Sequence, residues 1–435
     1  MWDDLKYYLQ ALGINMLWNG YAIVIFVRDG LKIGPQGSIM MALFWLLGLF
    51  LLFPINIFQR IYSLNKTLLF FWGSFAAISV AYMIYYPSVG YNFRSDLVRE
   101  ITTYCFPLAF LFGMLYYPDN KYEILLKVTA IFALLGSLGL AYVLMRDPTW
   151  NIGQRAAIRF SSFHAGHEGN PHTFANNAVR CVLASAICMY KVKQIWQKAV
   201  FLGSMLFSIA IVLMTRTNTS LLTLGIAFGV FALFHKRKLI SITFSYYTLS
   251  LAVLLFGGTV YASSRFAAVT NLLQNTWNIL YKRVINTIYT TSNIDVGGND
   301  IQTAATIDYS SIGRIISYKY FKEDFLESSQ KYVVLLGEGY KSVFLDIPII
   351  EAFVNQGILG FLLFGGFSLA WSFFSLGEIF QPTNEWNTFL AYLSFLFLIG
   401  LVTGGRPIDA GNWMIYMVYI RFLGASQYKT GLRKS

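Results

Sequence analysis

The apolar residues of this chain fall into about twelve runs, each near the ~20 helical residues that cross a hydrocarbon core of ~30 Å. No backbone group can stay unpaired in such a core, and uninterrupted apolar runs meet that demand as helices. Hydrophobic residues make up 56% of the sequence and charged residues only 12%, which places it among polytopic membrane proteins and not soluble domains. The expected fold is all-α: a polytopic transmembrane helix bundle formed by residues 1–435, with a large loop carrying amphipathic helices.

The runs predict spans near 9–27, 38–57, 67–86, 101–117, 123–145, 172–190, 197–215, 219–235, 239–258, 347–376, 386–404 and 411–424. The first and last are the weakest, because they contain Asn15, Asn19 and Arg421. No repeat with a period of ~20–50 residues divides the chain. Basic residues of the short loops set the orientation. Arg60, Lys66, Lys121, Lys191, Lys193, Lys198, Lys236, Arg237 and Lys238 fall on one side, together with Lys429, Arg433 and Lys434. Both termini are therefore expected in the cytoplasm, with only the Glu378–Glu385 loop running against the bias. Residues 146–171 and 259–346 then form two loops on the outer side.

The net charge is +12, yet the longest basic run is His235-Lys236-Arg237-Lys238, and scattered charge of this kind argues against nucleic-acid binding. Cys105, Cys181 and Cys188 lie in apolar segments. The last two stand about 10 Å apart by helix rise, too far for a disulfide, and all three read as small core residues. The acidic start, Met-Trp-Asp-Asp, with no small-residue cleavage site, argues against a cleaved signal peptide.

Outside the longer loop, nearly all outer basic residues are arginines: Arg28, Arg94, Arg99, Arg146, Arg155, Arg159 and Arg216, with Lys32 the exception. Arginine presents a planar fork of donors that matches phosphate. Singly these residues read as headgroup anchors; as a set they point to an anionic ligand approached from the outer side. In the longer loop, Val269, Leu273, Trp277, Leu280, Val284 and Ile288 follow Phe266 at helical spacing. After a polar stretch, Ser292 to Asp308, a second amphipathic helix is expected near Ser311, carrying Ile312, Ile316, Phe321 and Phe325. Two such helices would lie on the membrane as a lid or as a structural cap.

Four clusters carry candidate chemistry. His164, His167 and His172 surround Glu168, Asn170 and Pro171. The spacing fits no standard zinc pattern, so no metal is expected, and a polar loop contacting substrate hydroxyls and phosphates is the better reading. Arg180 falls inside a span after Asn176 and Asn177, where charge is costly and normally faces a wet cavity or a partner. Met214-Thr215-Arg216-Thr217-Asn218-Thr219-Ser220 joins two spans, and a helix N-terminus beside Arg216 suits an anion. Last come Gly337-Glu338-Gly339-Tyr340, Asp346, Glu351 and Asn355-Gln356-Gly357-Ile358-Leu359-Gly360. Gly404-Gly405-Arg406-Pro407-Ile408-Asp409 adds an arginine that reads either as a ligand contact or as an ion pair with Asp409.

Thr215-Arg216-Thr217-Asn218-Thr219 resembles the Arg-Ser/Thr signature of the O-antigen polymerase and O-antigen ligase superfamily. Gly313-Arg314 resembles the Gly-Arg that opens its second loop helix, and Gly337-Glu338-Gly339 with Gly357-Ile358-Leu359-Gly360 resembles its Gly-x-Gly and Gly-Ile-x-Gly elements. The likeness covers roughly residues 150–424. It implies a metal-independent, inverting glycosyltransferase of the GT-C-like type, with no cofactor, acting on undecaprenyl-diphosphate-linked oligosaccharide at the periplasmic face of the bacterial inner membrane. Arg159, Arg180, Arg216 and Arg314 would hold the diphosphate, while Asn170, Tyr340 and Arg406 would contact acceptor or substrate. The base stays open among Glu338, Asp346, His164, His167 and His172.

Ligases of the family tend to carry a histidine before the Gly-Ile-x-Gly span. Asp346 stands there instead, which favours a polysaccharide polymerase, with a chain-length-regulating membrane protein as a conceivable partner, over a ligase that transfers to lipid A-core. A lipid-linked oligosaccharide flippase is the reading from another class, but two similar halves are expected there. A peptidoglycan-type glycosyltransferase would share the architecture and the lipid carrier.

Overall fold

The computed structural model describes residues 2–35, 37–53, 60–87, 93–151, 154–158, 171–234, 309–327 and 331–425, with Tyr261 and Gln274. No strand occurs among the described residues, which are helical nearly throughout. The first helices are α1 (Trp2–Asn19), α2 (Tyr21–Ile25, continued by a π-helical turn Phe26–Gly30), α3 (Ile39–Leu52), α4 (Lys66–Tyr85), α5 (Phe93–Met114) and α6 (Tyr122–Arg146). Next come α7 (Pro171–Lys191), α8 (Ile195–Thr215), α9 (Asn218–Phe234) and α10 (Tyr309–Lys319, continued by a π-helix Tyr320–Leu326). The last are α11 (Lys331–Leu336), α12 (Pro348–Phe380), α13 (Glu385–Thr403) and α14 (Ala410–Phe422).

Four helical stretches are long and apolar enough to cross a membrane: Lys66–Tyr85, Asp119–Arg146, Ile195–Thr215 and Pro348–Phe380. Asp4–Asn19 with Tyr21–Gly30 makes a fifth if taken as one broken span, and Ile39–Leu52, Glu100–Met114, Asn218–Phe234 and Glu385–Leu401 are apolar but shorter. The expected span at 239–258 and the loop helix from Phe266 lie outside the described residues.

The chain divides into two units. One comprises Met1–Gly20, Met41–Val128 and Asp295–Ser435; the other comprises Tyr21–Met40 and Thr129–Ile294. In the first, α12 packs against α4, α11 and α13, and α14 packs against α5. Several buried polar residues of this unit find partners within it. Asn65 caps α4 by accepting from the N–H groups of Thr67 and Leu68, and donates to the Leu423 carbonyl at 3.0 Å. Arg421, which weakened the last predicted span, is fully buried. It donates to the carbonyls of Met114, Ser63 and Tyr117 and to Asp119 Oδ1, so it pins the end of α14 to the segments around α5. Asn15 turns its amide back onto the Ala11 carbonyl within α1.

One expectation needs correction in this unit. Cys105 is exposed on α5 and not part of the core. On α10, Ile316 is exposed and Ser317 is buried. Phe325, on the π-helix that follows, enters a core with Leu345 and Val354.

In the second unit α7 packs along α8. Small side chains at Ala175, Ala178, Cys181 and Ala184 are buried there, which permits close approach of the two helices. Asn177 donates to the Ala133 carbonyl at 2.6 Å. Arg28 binds Asp29 through Nε and Nη2 and the Gly37 carbonyl through Nη1, so part of its donor set serves local structure.

Candidate functional site

The two glycine motifs meet in the first unit. Gly357 interrupts α12 with φ 63° and ψ −161°, a conformation open essentially to glycine alone. The break leaves carbonyls without helical partners, and the Gly337–Gly339 loop supplies donors: the Glu338 N–H reaches the Val354 carbonyl at 2.8 Å and the Gly339 N–H reaches that of Asn355 at 3.1 Å. The approach is backbone to backbone. A Cβ on Gly337 would come within 2.6 Å of the Asn355 carbonyl, and one on Gly357 would overlap the Leu335 carbonyl.

Two acidic residues are held by neighbouring side chains of α10 and the π-helix that continues it, Asp346 through its backbone N–H and Glu338 through its carboxylate. Ser317 Oγ accepts from the Asp346 N–H at 3.0 Å and donates to the Gly313 carbonyl at 2.7 Å. Gly313 bears no side chain, and a Cβ there would strike the Asp346 carboxylate. Three residues beyond Ser317, the Tyr320 hydroxyl lies 2.8 and 2.9 Å from the two carboxylate oxygens of Glu338, as donor. Burial pushes both carboxyl groups above their usual range. For Asp346 the charge of Arg314 opposes that rise, and for Glu338 the Tyr320 hydrogen bond does.

Behind them, fully buried Glu351 accepts from Arg406 Nε at 2.6 Å and from the Leu345 N–H at 3.0 Å. Arg406 Nη2 donates to the Val343 carbonyl at 3.0 Å, and its guanidinium lies over the Phe344 ring. The sequence pairing of Arg406 with Asp409 is thus replaced: Asp409 caps α14 by accepting from the Gly411 N–H. Asp409 is exposed and already accepts from a helix-start N–H, whereas fully buried Glu351 is costly without a charged partner. Tyr340 is buried; its hydroxyl bonds to that of Tyr104 and donates to Glu100, whose other oxygen accepts from Lys341 Nζ at 2.6 Å.

The second unit gathers a separate basic group. Arg216 adopts φ 50° and ψ 41° and closes α8, with α9 starting at Asn218. Arg155 Nε donates to the Thr215 carbonyl at 2.9 Å, and the Ala156 N–H donates to that of Met214 at 3.0 Å. Arg155 Nη2 also stands 3.5 Å from His172 Nε2, on the exposed first turn of α7. Deeper along α7, Asn176 accepts from Ser220 at 3.1 Å, and Arg180 is buried one turn further.

The structure therefore brings Arg314, Glu338, Tyr340, Asp346 and Arg406 into one unit, and His172, Arg180 and Arg216 into the other. Arg159, His164, His167 and Asn170 lie outside the described residues. Among the described residues no three histidine, cysteine, aspartate or glutamate side chains gather to hold a metal ion. Sequence reasoning passed over Glu100, Lys341, Ser317 and Tyr320. Glu100 and Lys341 carry no motif, but the small and polar spacing of Gly313, Ser317 and Tyr320 was a readable helical face. In comparison with known proteins, the chain matches no family model and no curated protein.

Proposed function

We propose that this chain is a polysaccharide polymerase that joins undecaprenyl-diphosphate-linked repeat units by inverting glycosyl transfer. The observation that carries the reading is the junction around α10: Gly313-Arg314, Gly337-Glu338-Gly339, Asp346 and Gly357, distant in sequence, share one neighbourhood that holds a guanidinium and two half-buried carboxyls. On this reading the chain lies in the bacterial inner membrane with about twelve spans and cytoplasmic termini, and residues 146–171 and 259–346 face the periplasm.

The acceptor hydroxyl attacks the anomeric carbon, the bond from that carbon to the diphosphate oxygen breaks, and lipid diphosphate departs. Arg314 offsets the charge that develops on the leaving group. Glu338, oriented by the Tyr320 hydroxyl, takes the proton of the acceptor hydroxyl as base.

The experiment is incubation of the detergent-purified protein with a pool of lipid-diphosphate oligosaccharides. A ladder of products on one lipid carrier supports the polymerase. Transfer of preformed polymer to lipid A-core shows a ligase, and an absence of any glycosidic product with translocation in vesicles shows a flippase.

A further inference from the structure

We infer that α11 is embedded in the bilayer, its outer face in contact with lipid acyl chains at the boundary between hydrocarbon and headgroups. The inference stands apart from any sugar transfer. Along Lys331-Tyr332-Val333-Val334-Leu335-Leu336, every residue after the first is apolar or aromatic. Val333 and Val334 pack on the core of Phe325, Leu345 and Val354, while Tyr332, Leu335 and Leu336, spaced to share the opposite face, are exposed. A helix apolar on all sides belongs in a protein core or in lipid, and water is the wrong medium for this face.

Two contacts set its level. The Leu336 carbonyl accepts from the Tyr82 hydroxyl at 2.6 Å, and Tyr82 with Tyr85 and Tyr86 ends α4 as an aromatic cluster of the kind found at membrane boundaries. On the other side the Leu335 and Leu336 backbone abuts Gly357. From Gly357 to Phe380, α12 extends about 35 Å, the thickness of a hydrocarbon core with slight tilt. Beyond Gly357, which the α11 backbone abuts, Ile358, Leu359, Phe361 and Leu362 of that span are exposed as well.

The test is nitroxide labelling of Leu335→Cys in the full chain carrying Cys105→Ser, reconstituted in phosphatidylethanolamine–phosphatidylglycerol vesicles. Leu362→Cys and Asp324→Cys provide the lipid and water references. The expected result is that the label at 335 collides more with oxygen than with a water-soluble nickel chelate, as at 362, with the reverse at 324. A label at 335 that behaves like the one at 324, or that is shielded from both reagents by protein, overturns the inference. If Leu335→Cys fails to fold, Tyr332→Cys reads the same face with the same two outcomes.

Discussion

Arg406 reaches Glu351 at 2.6 Å across 55 residues of sequence, and the same guanidinium holds the Val343 carbonyl. The pair ties the loop bearing Asp346 to the first turn of α12. Removing one member of a buried pair strands the other, at a cost of about 3–5 kcal/mol when the remaining charge is fully buried. Glu351 is fully buried and Arg406 a quarter exposed. Arg406→Gln should therefore lower the thermal midpoint of the detergent-solubilised protein more than Glu351→Gln. Equal midpoints for the two variants would show that the pair does not carry this load.

The glycine junction gives a sharper contrast. Gly357→Ala combines a disallowed backbone with overlap of the Leu335 carbonyl and should prevent recovery of folded protein, since such backbone strain alone costs about 1–3 kcal/mol. Gly365→Ala lies in the same helix with open space around its Cβ and should fold as well as the parent or better. Size-exclusion profiles of the two variants decide the matter.

The third prediction concerns pH. A base works ionised, so activity falls as pH drops through its pKa. Burial raises the Glu338 carboxyl and the Tyr320 hydroxyl pulls it back. Tyr320→Phe should raise it further and move the acidic limb of the pH–rate profile to higher pH. A carboxyl raised by folding stabilises the fold below its unfolded pKa, and that contribution fades as pH rises through the folded value. Tyr320→Phe should accordingly lose more stability than the parent between mildly acidic and neutral pH. An unmoved acidic limb would assign the base to another group.

Orientation is testable at two described positions. Asp324→Cys, in the π-helix after α10, should react with an impermeant maleimide in intact spheroplasts when Cys105 is replaced. Lys193→Cys, in the short α7–α8 turn, should react only after lysis. The opposite pattern would invert the proposed topology.

Arg216→Ala and Arg314→Ala should each abolish transfer while leaving yield and thermal midpoint near the parent, and lysine should restore little, because a point charge lacks the bidentate fork. Full turnover in the alanine variants would identify these arginines as headgroup anchors.

Long apolar runs announced helices fit for a membrane, since bilayer thickness and backbone pairing act on local sequence alone. The glycine motifs were also legible, because a glycine that takes a positive φ or meets a neighbouring backbone has a reason to be there. The partners of the charged residues were not. Arg406 read either as a ligand contact or as a partner of nearby Asp409, yet it binds Glu351, because a fully buried carboxylate competes for a guanidinium more strongly than one already serving a helix N-terminus. The helix near Ser311 was legible from its spacing, but not that Ser317 would accept from the Asp346 N–H and Tyr320 would donate to the Glu338 carboxylate. Helical periodicity is a local property that sequence by itself determined here; which buried charge meets which donor depends on desolvation, and only the tertiary structure decided that.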